Sequence, residues 1–316
     1  MKLPILSICI PTYNRASLLY HNLEVLSQCD TNYFKLIICD NGSTDSTPQV
    51  IEKWKEYFPF FQVIRHEKNI FYDRNVASGL RVFDTEYCMM LGDGYLINNN
   101  NLHNLLKELS TYKYDAIIID AFGQVDKGVQ IYRDVNKIIK EIGWYLPLVS
   151  SCVFSKKMCQ ESFLQRYYDS QFEPYGVLVE YICSVDSFCV KMIDTVRLEL
   201  NNAGSKKETG WGHHPFQTFG VEWFKFVMSL PEKINLDSKL ICLREHDANV
   251  HVFNPWSLFK AKLRGDVSFY DYKSARPILP FVINSPLWLY DLIYLIPTLP
   301  PSVVSFIKTI NKNVSK

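Results

Sequence analysis

The sequence predicts an α/β protein whose mostly parallel sheet is flanked by helices, with a helical C-terminal extension. Three observations predict it. Short segments that are apolar throughout recur along the first 120 residues. Segments of helical period separate them. Polar residues collect just after the apolar segments, at Thr12, Asp40, His66 and Asp93. A strand buried on both faces reads as a continuous apolar run, and strands alternating with helices form parallel sheets.

The elements follow in order. Leu6 to Ile10 is the first strand. Ser17 opens a helix with Leu18, Leu19, Leu23 and Leu26 on one face. Leu36 to Cys39 is the second strand, and the polar loop Asp40 to Ser46 follows it. A helix runs from Thr47 to Tyr57. Phe61 to Ile64 is the third strand, Asp73 to Val82 a helix, and Tyr87 to Leu91 the fourth strand. Leu102, Leu105, Leu106 and Leu109 mark another helix, and Ala116 to Ile119 a fifth strand. Ligands of open α/β sheets bind beyond the carboxyl ends of the strands, so the four polar positions belong to one edge. The second half is less regular. Lys137 to Ile142, Lys156 to Tyr168, Gly176 to Ser184 and Glu222 to Leu230 have helical patterns, and Asn201 to Gly212 has the composition of a mobile loop. These boundaries imply a catalytic domain over 1–230, with halves 1–120 and 121–230, and an extension over 231–316.

Composition narrows the function. The chain has 316 residues and a net charge of +1, so no global basic field points to nucleic acid. From Trp256 to Lys316 there are eight Lys or Arg and three Asp or Glu, a local excess of +5. Nine cysteines without CxxC spacing, three of them in or beside apolar strands (Cys9, Cys39, Cys88), fit a reducing cytosol better than a disulfide framework. The N-terminus shows no secretory pattern, and no apolar run is long enough to span a bilayer.

Four segments carry chemistry: ICIPTYNR (Ile8 to Arg15), IICDNGSTDST (Ile37 to Thr47), the run Asn69 to Asn75 ending in DRN, and YCMMLGDGYLI (Tyr87 to Ile97). Read by themselves, DNGSTD is a polar turn with Ser43 or Asp45 capping the next helix, and Asp73 is a helix N-cap. In this order and spacing, the four resemble family 2 glycosyltransferases of the GT-A fold, of the bacterial surface-polysaccharide (O-antigen and capsule) kind. The resemblance covers the first third of the chain well.

The resemblance implies a nucleoside diphosphate sugar as donor. Pro11, Thr12, Tyr13 and Asn14 border the nucleoside. Asp40 accepts from the base imino N–H, which a carboxylate suits. Asn41, Gly42 and Ser43 form a turn beside it. Asp73, Arg74 and Asn75 line the diphosphate, where the guanidinium of Arg74 fits phosphate oxygens. Asp93 contacts the ribose and a divalent cation, Mg2+ or Mn2+, that stabilises the leaving diphosphate. Two residues depart from the family pattern. Gly94 stands where a second carboxylate is usual, which puts metal dependence in question. Phe71 stands where glycine is common.

An inverting transfer also needs a carboxylate to accept the acceptor hydroxyl's proton. Glu180 is the first candidate, Glu173 the second and Asp169 the third. Trp144, Ser150 and Ser151 fall where acceptor contacts often begin. His213 and His214 are candidate cation or phosphate contacts, or a structural pair in a loop. His246 and His251 have no evident role. The stretch LWLYDLIYLI with Trp288, Tyr290 and Tyr294, followed by Lys308, Lys312 and Lys316, reads either as a peripheral anchor on the inner face of the cell membrane or as a packed helix or homo-oligomer contact. The acceptor implied is a glycan or lipid-linked oligosaccharide. Two alternatives stay open: a silent nucleotide- or glycan-binding subunit of the same fold, and a sugar nucleotidyltransferase. The second wants a Gly-rich N-terminal signature that IPTYNR does not supply.

Overall fold

The computed structural model describes residues 4–203, 214–263 and 267–295. Trp211, His213, Lys308, Lys312 and Lys316 lie outside the described residues. The chain divides into two compact units, one of residues 1–208 with 230–235, the other of 209–229 with 236–316. Residues 214–229, which the sequence reading assigned to the catalytic domain, are therefore grouped with the C-terminal helices.

In the first unit the elements alternate as the apolar runs predict: β1 (Leu6–Thr12), α1 (Ala16–Ser27), β2 (Phe34–Asp40), α2 (Thr47–Trp54), β3 (Phe61–Arg65), α3 (Tyr72–Val82), β4 (Tyr87–Met90), a short β5 (Tyr95–Leu96), α4 (Asn99–Thr111) and β6 (Ala116–Ile119). Then follow β7 (Gln130–Tyr132), α5 (Val135–Ile142), β8 (Cys152–Ser155), α6 (Glu161–Arg166), α7 (Glu173–Ser184), β9 (Val190–Ile193) and β10 (Glu199–Leu200). The main sheet has eight strands in the order β3-β2-β1-β4-β8-β6-β9-β7, and β5 pairs with β10 apart from it. Strands β3, β2, β1 and β4 are mutually parallel. The sheet is mostly parallel as expected; beyond β4, β8 inserts antiparallel between β4 and β6, and β7 pairs antiparallel with β9.

Every residue of β1, β4, β6 and β8 is buried, which explains why their sequences are apolar apart from Ser7, Thr12 and Ser155. Helix α3 lies close on the sheet. A Cβ on Gly79 would sit 3.2 Å from Cys9 Cβ and 3.2 Å from Cys39 Sγ, so glycine permits the approach. All nine cysteines are free thiols. The helix expected over Lys156 to Tyr168 breaks into a 3₁₀ turn at Lys156–Met158 and α6.

The second unit is helical: a π-helical turn (Phe216–Glu222), α8 (Trp223–Ser229), α9 (Leu236–Val250), α10 (Pro255–Leu263), α11 (Phe269–Ala275), α12 (Leu279–Val282) and α13 (Leu287–Leu295). His246 stacks on Phe219 at 4.9 Å and lies 5.2 Å from Trp223; its burial lowers its pKa to about 3, so it is a neutral core residue. Asp291, the charge that interrupts the apolar run, forms a two-toothed ion pair with Arg276 at 2.7 and 2.9 Å. Tyr290 and Tyr294 are buried, the first donating to the Phe253 carbonyl and the second stacking on Tyr272 at 4.2 Å. For these two tyrosines the packed-helix alternative holds; Trp288, Leu292 and Leu295 are the exposed residues of α13. No described helix is long and apolar enough to cross a membrane.

Candidate active site

The order of the strands places the site. From β1 the chain passes to β2 and β3 on one side, then returns to β4 on the other, so the sheet switches direction between β1 and β4. A crevice opens at the carboxyl ends of strands at such a switch point. Thr12 ends β1, Asp93 follows β4, and Thr12 Oγ1 donates to Asp93 Oδ2 at 3.0 Å, which ties the two strand ends together. Asp40 is level with Thr12 across the β1–β2 ladder. The three residues that the sequence reading required at one place are thus together on one sheet edge.

Asp93 is the best-held acid of the group. Arg15 Nη1 donates to its Oδ1 at 2.8 Å, and its backbone carbonyl accepts from the amides of Asn22 at 2.7 Å and Asn201 at 3.0 Å. Burial raises its pKa above the usual carboxylate value, although the Arg15 charge and the bonds from Arg15 and Thr12 oppose the rise. Arg15 closes the segment ICIPTYNR, and the sequence alone assigns it no role. Its position in the first turn after β1 was the available signal, but its partner is 78 residues away.

Asp40 is fully buried. Its Oδ1 accepts from the Ser43 N–H at 2.9 Å, while Oδ2 faces Arg65 Nε at 3.4 Å and has no hydrogen bond. A buried acceptor without a donor is costly unless a ligand supplies one. A hollow lined by Gly42, Ser43, Thr44, Arg65, His66 and Glu67 opens beside it.

The loops after β1 and β2 are cross-tied. Asn14, at φ 51°, accepts on its Oδ1 from the Thr44 N–H at 2.7 Å and the Asp45 N–H at 3.3 Å, and its own N–H donates to Ser43 Oγ at 2.9 Å. Asp45 accepts from Thr47 N–H at the start of α2, as the simple turn reading expected. Pro11 is buried and Tyr13 is partly exposed at this edge. Asn41 donates its backbone N–H to Thr12 O, and its amide ties the third loop through Asn69 at 3.0 Å and the Ile70 N–H at 2.9 Å.

That third loop keeps a glycine-type backbone without the glycine. Phe71 sits at φ 69° and ψ 165°, a region almost reserved for glycine. Asn69 and Asn41 hold it there, at 2.8 Å to its N–H and 3.3 Å to its carbonyl. Its ring is 73% exposed. Asn75 is a structural residue whose amide donates to the Cys39 carbonyl at 2.9 Å. Arg74 points elsewhere than the diphosphate role required: it pairs with Asp169 at 3.0 Å and lies over Tyr168.

Asp73 is not an N-cap. It lies inside the first turn of α3, buried, and its Oδ2 accepts from the Gln171 N–H at 2.5 Å. Burial raises its pKa to about 6, partly offset by that bond. Glu173, at the start of α7, is completely buried, and neither carboxylate oxygen has a hydrogen-bond partner. Burial, reinforced by the charge of Asp73, raises its pKa to about 9. Tyr72 is 37% exposed overall, but its hydroxyl end is desolvated and lies in the fields of Asp73, Tyr95 and Asp93, which raise its pKa, and of Arg15, which opposes them. Glu180 is not brought to this group. Its Oε1 accepts from Tyr167 Oη at 2.6 Å and pairs with Arg166 at 2.9 Å, so it braces α6 against α7.

The family resemblance implies a divalent cation at Asp93, and one protein carboxylate serves it only if the diphosphate and water supply the other ligands. Asp93 is one carboxylate with both oxygens engaged. Among the described residues no three His, Cys, Asp or Glu side chains converge as ligands. His214, a candidate ligand, faces Asp271 at 3.3 Å within the second unit.

Comparison with known proteins agrees with the geometry. The abequosyltransferase RfbV of Salmonella typhimurium is 30% identical over 101 residues, 31% of this chain and 30% of that protein. The uncharacterized glycosyltransferase YfnE of Bacillus subtilis is 40% identical over 74 residues, 22% of this chain and 19% of that one. The matched segments thus span less than a third of either relative. Among solved structures, S. aureus TarS 1-349 in complex with UDP-GlcNAc superposes with a TM-score of 0.59 at 14% identity, over 88% of this chain and 81% of that one. The mannosyltransferase PcManGT of Pyrobaculum calidifontis, in complex with GDP-Man and Mn2+, gives 0.55 at 17% identity, over 93% and 79%. These likenesses establish the fold as that of GT-A glycosyltransferases. The profile of glycosyl transferase family 2 matches residues 7–167, half of the chain, and the protein belongs to that family.

Proposed function

We propose that the chain is an inverting transferase that moves a sugar from a nucleoside diphosphate sugar to a hydroxyl of a glycan or lipid-linked oligosaccharide. The observation that carries this reading is the Thr12–Asp93 bond across the β1/β4 switch point, with Asp40 on the neighbouring strand. The unsatisfied Asp40 Oδ2 is suited to the imino N–H of a pyrimidine or guanine base. Asp93 is suited to the ribose hydroxyls, which would replace Thr12 as donors. The donor half is residues 1–120.

The proton of the attacking hydroxyl goes to the carboxyl pair Asp73 and Glu173. Between pH 6 and pH 9 this pair holds one proton and one negative charge. An acid that ionises near neutral pH is the effective kind of general base. As the hydroxyl oxygen attacks the anomeric carbon, its proton passes to the ionised member and the nucleoside diphosphate departs. At neutral pH the ionised member, and so the base, is Asp73; Glu173, the second sequence candidate, holds the pair's proton beside it, and Glu180 has no part in the pair.

The relatives support a place in bacterial surface-polysaccharide synthesis: one is an abequosyltransferase, and a structural neighbour binds UDP-GlcNAc. Such a role puts the enzyme in the cytoplasm at the inner membrane face, with Trp288, Leu292 and Leu295 of α13 as the contact.

The test is nucleotide release from UDP-, GDP-, CDP- and dTDP-sugars, with glycan and lipid-linked acceptors, for the wild type and Asp93→Ala. Release that needs acceptor and is lost in the variant supports the reading. Nucleotide binding without turnover on any acceptor would leave a silent subunit instead.

A further inference from the structure

Phe71 stands where neither its backbone nor its side chain helps the fold. At φ 69° and ψ 165° it occupies a region that glycine alone enters without strain. Its ring is 73% exposed, so little apolar area leaves water in return. The conformation is nevertheless held firmly. Asn69 Oδ1 accepts from the Phe71 N–H at 2.8 Å, Asn41 Nδ2 donates to the Phe71 carbonyl at 3.3 Å, and the two asparagines are joined at 3.0 Å. A side chain that is strained, fixed and uncovered at once points to a contact with something outside the chain.

The surroundings narrow what that contact is. Asn41, which holds Phe71, directly follows Asp40, and its own N–H is bonded to the Thr12 carbonyl. One residue further, a Cβ on Gly42 would sit 2.7 Å from the carbonyl carbon of Lys68, so the turn after β2 lies directly against the loop that carries Phe71. The hollow beside Asp40 is lined by both, with Gly42, Ser43 and Thr44 from the turn and Arg65, His66 and Glu67 from the segment that leads into the loop. The next residue after Phe71, Tyr72, has its hydroxyl in the field of Asp93. Along the chain, Phe71 therefore falls between the wall of the base hollow and the neighbourhood of the acid assigned to the ribose. A base held at its edge by Asp40 still presents a flat π face, and an aromatic ring is the side chain suited to that face. We propose that the Phe71 ring is a stacking platform for the donor's nucleobase, an assignment that rests on the donor-site reading above and adds to it the residue that grips the base by its face.

The experiment is calorimetry of the full chain in MnCl2 with the mono- and diphosphates of uridine, guanosine, cytidine and thymidine, for the wild type and three variants. The expected result is that at least one nucleotide binds the wild type, and that Phe71→Gly weakens it by roughly fivefold or more, equally for mono- and diphosphate. The same variant should melt above the wild type, so the weaker binding is no folding defect. Phe71→Leu keeps the strained backbone and an apolar side chain without a ring face, and should lose nearly as much affinity. Phe71→Trp keeps a ring and should bind within about threefold of the wild type, with fluorescence quenched by nucleotide beyond any change in the wild type.

The outcomes that overturn the proposal differ in reach. If nucleotide affinity is unchanged in both Phe71→Gly and Phe71→Leu, the ring does not touch the base and the donor site stands; a higher KM for acceptor in these variants would then assign the ring to the acceptor. A loss in Phe71→Gly alone would show that the ligand needs an ordered loop and not the ring. A loss confined to the diphosphates would place the ring at the phosphates. If no nucleotide binds the wild type, the donor-site reading falls as well.

Discussion

Two buried acids in the first unit, Asp93 and Glu173, meet burial in opposite ways. Asp93 is surrounded by donors: a guanidinium, a hydroxyl, and two amides on its backbone carbonyl. Glu173 has no donor on either oxygen, and the acids Asp73, Glu161 and Asp169 in its field outnumber the one opposing cation, Arg81. Burial disfavours charge at both, but at Asp93 a fixed partner opposes it, while at Glu173 nothing sufficient does. The difference teaches that a buried carboxyl is given its task by its neighbours. One is arranged to stay in place and bind, the other to hold a proton and exchange it.

The comparison can be broken most severely at Asp93. Asp93→Asn keeps the shape and removes the charge that anchors Arg15. Acceptor-dependent nucleotide release should fall by at least about 100-fold, the usual scale for removing one preorganised electrostatic contact from an active site. An unchanged rate would show that the anchoring charge is dispensable.

The second break uses pH. Asp73 and Glu173 have folded pKa values of about 6 and about 9, above those of the unfolded chain. The folded protein therefore retains protons that the unfolded chain gives up. Stability contributed by the pair is full below about pH 4 and is lost as pH rises through 6 and then 9. Glu173→Gln should flatten the upper part of this decline and raise the melting temperature at pH 9 by several degrees over wild type. The turnover rate of the wild type should drop as pH falls through about 6, where Asp73 takes up its proton. A pH-independent melting curve above pH 6 would remove Glu173 from this role.

Glu180 sharpens the contrast, since it lies on the same helix two turns later and does have partners. Glu180→Gln should cost roughly 1–2 kcal/mol in urea unfolding, by weakening its bonds to Tyr167 and Arg166, and leave kcat unchanged. The smallest effect is expected at Phe71. Phe71→Gly relieves a backbone that glycine prefers and should stabilise the protein by about 1 kcal/mol, the relief exceeding the added freedom of the unfolded chain.

The parallel half of the fold was legible because its strands are buried on both faces. LSICIPT and AIII declare themselves by composition, and the polar residues after them mark the binding edge. Strand β8 was not legible: CVFS is four residues long, and its antiparallel place between β4 and β6 follows from tertiary pairing alone. In the site, Thr12, Asp40 and Asp93 could be placed because each follows a strand. Arg15 could not be given its partner, because the contact depends on β4 lying beside β1. The choice between Glu173 and Glu180 was equally hidden. Both are acids on one helix, and what separates them is the presence of Tyr167 and Arg166 beside one and of Asp73 beside the other. Tyr290 and Tyr294 left two readings open for a related reason: an apolar helix with aromatic residues has the same sequence whether its rings face lipid or a core.

The oxygen of the Asn14 side chain holds the ends of two loops that come from different strands. Their arrangement is therefore settled when the chain folds, before any ligand arrives. A nucleotide entering this edge meets a finished mould, and little of its affinity is spent on ordering the wall it touches. Amide protons of Thr44 and Asp45 should then exchange slowly in the empty protein and scarcely more slowly in the filled one.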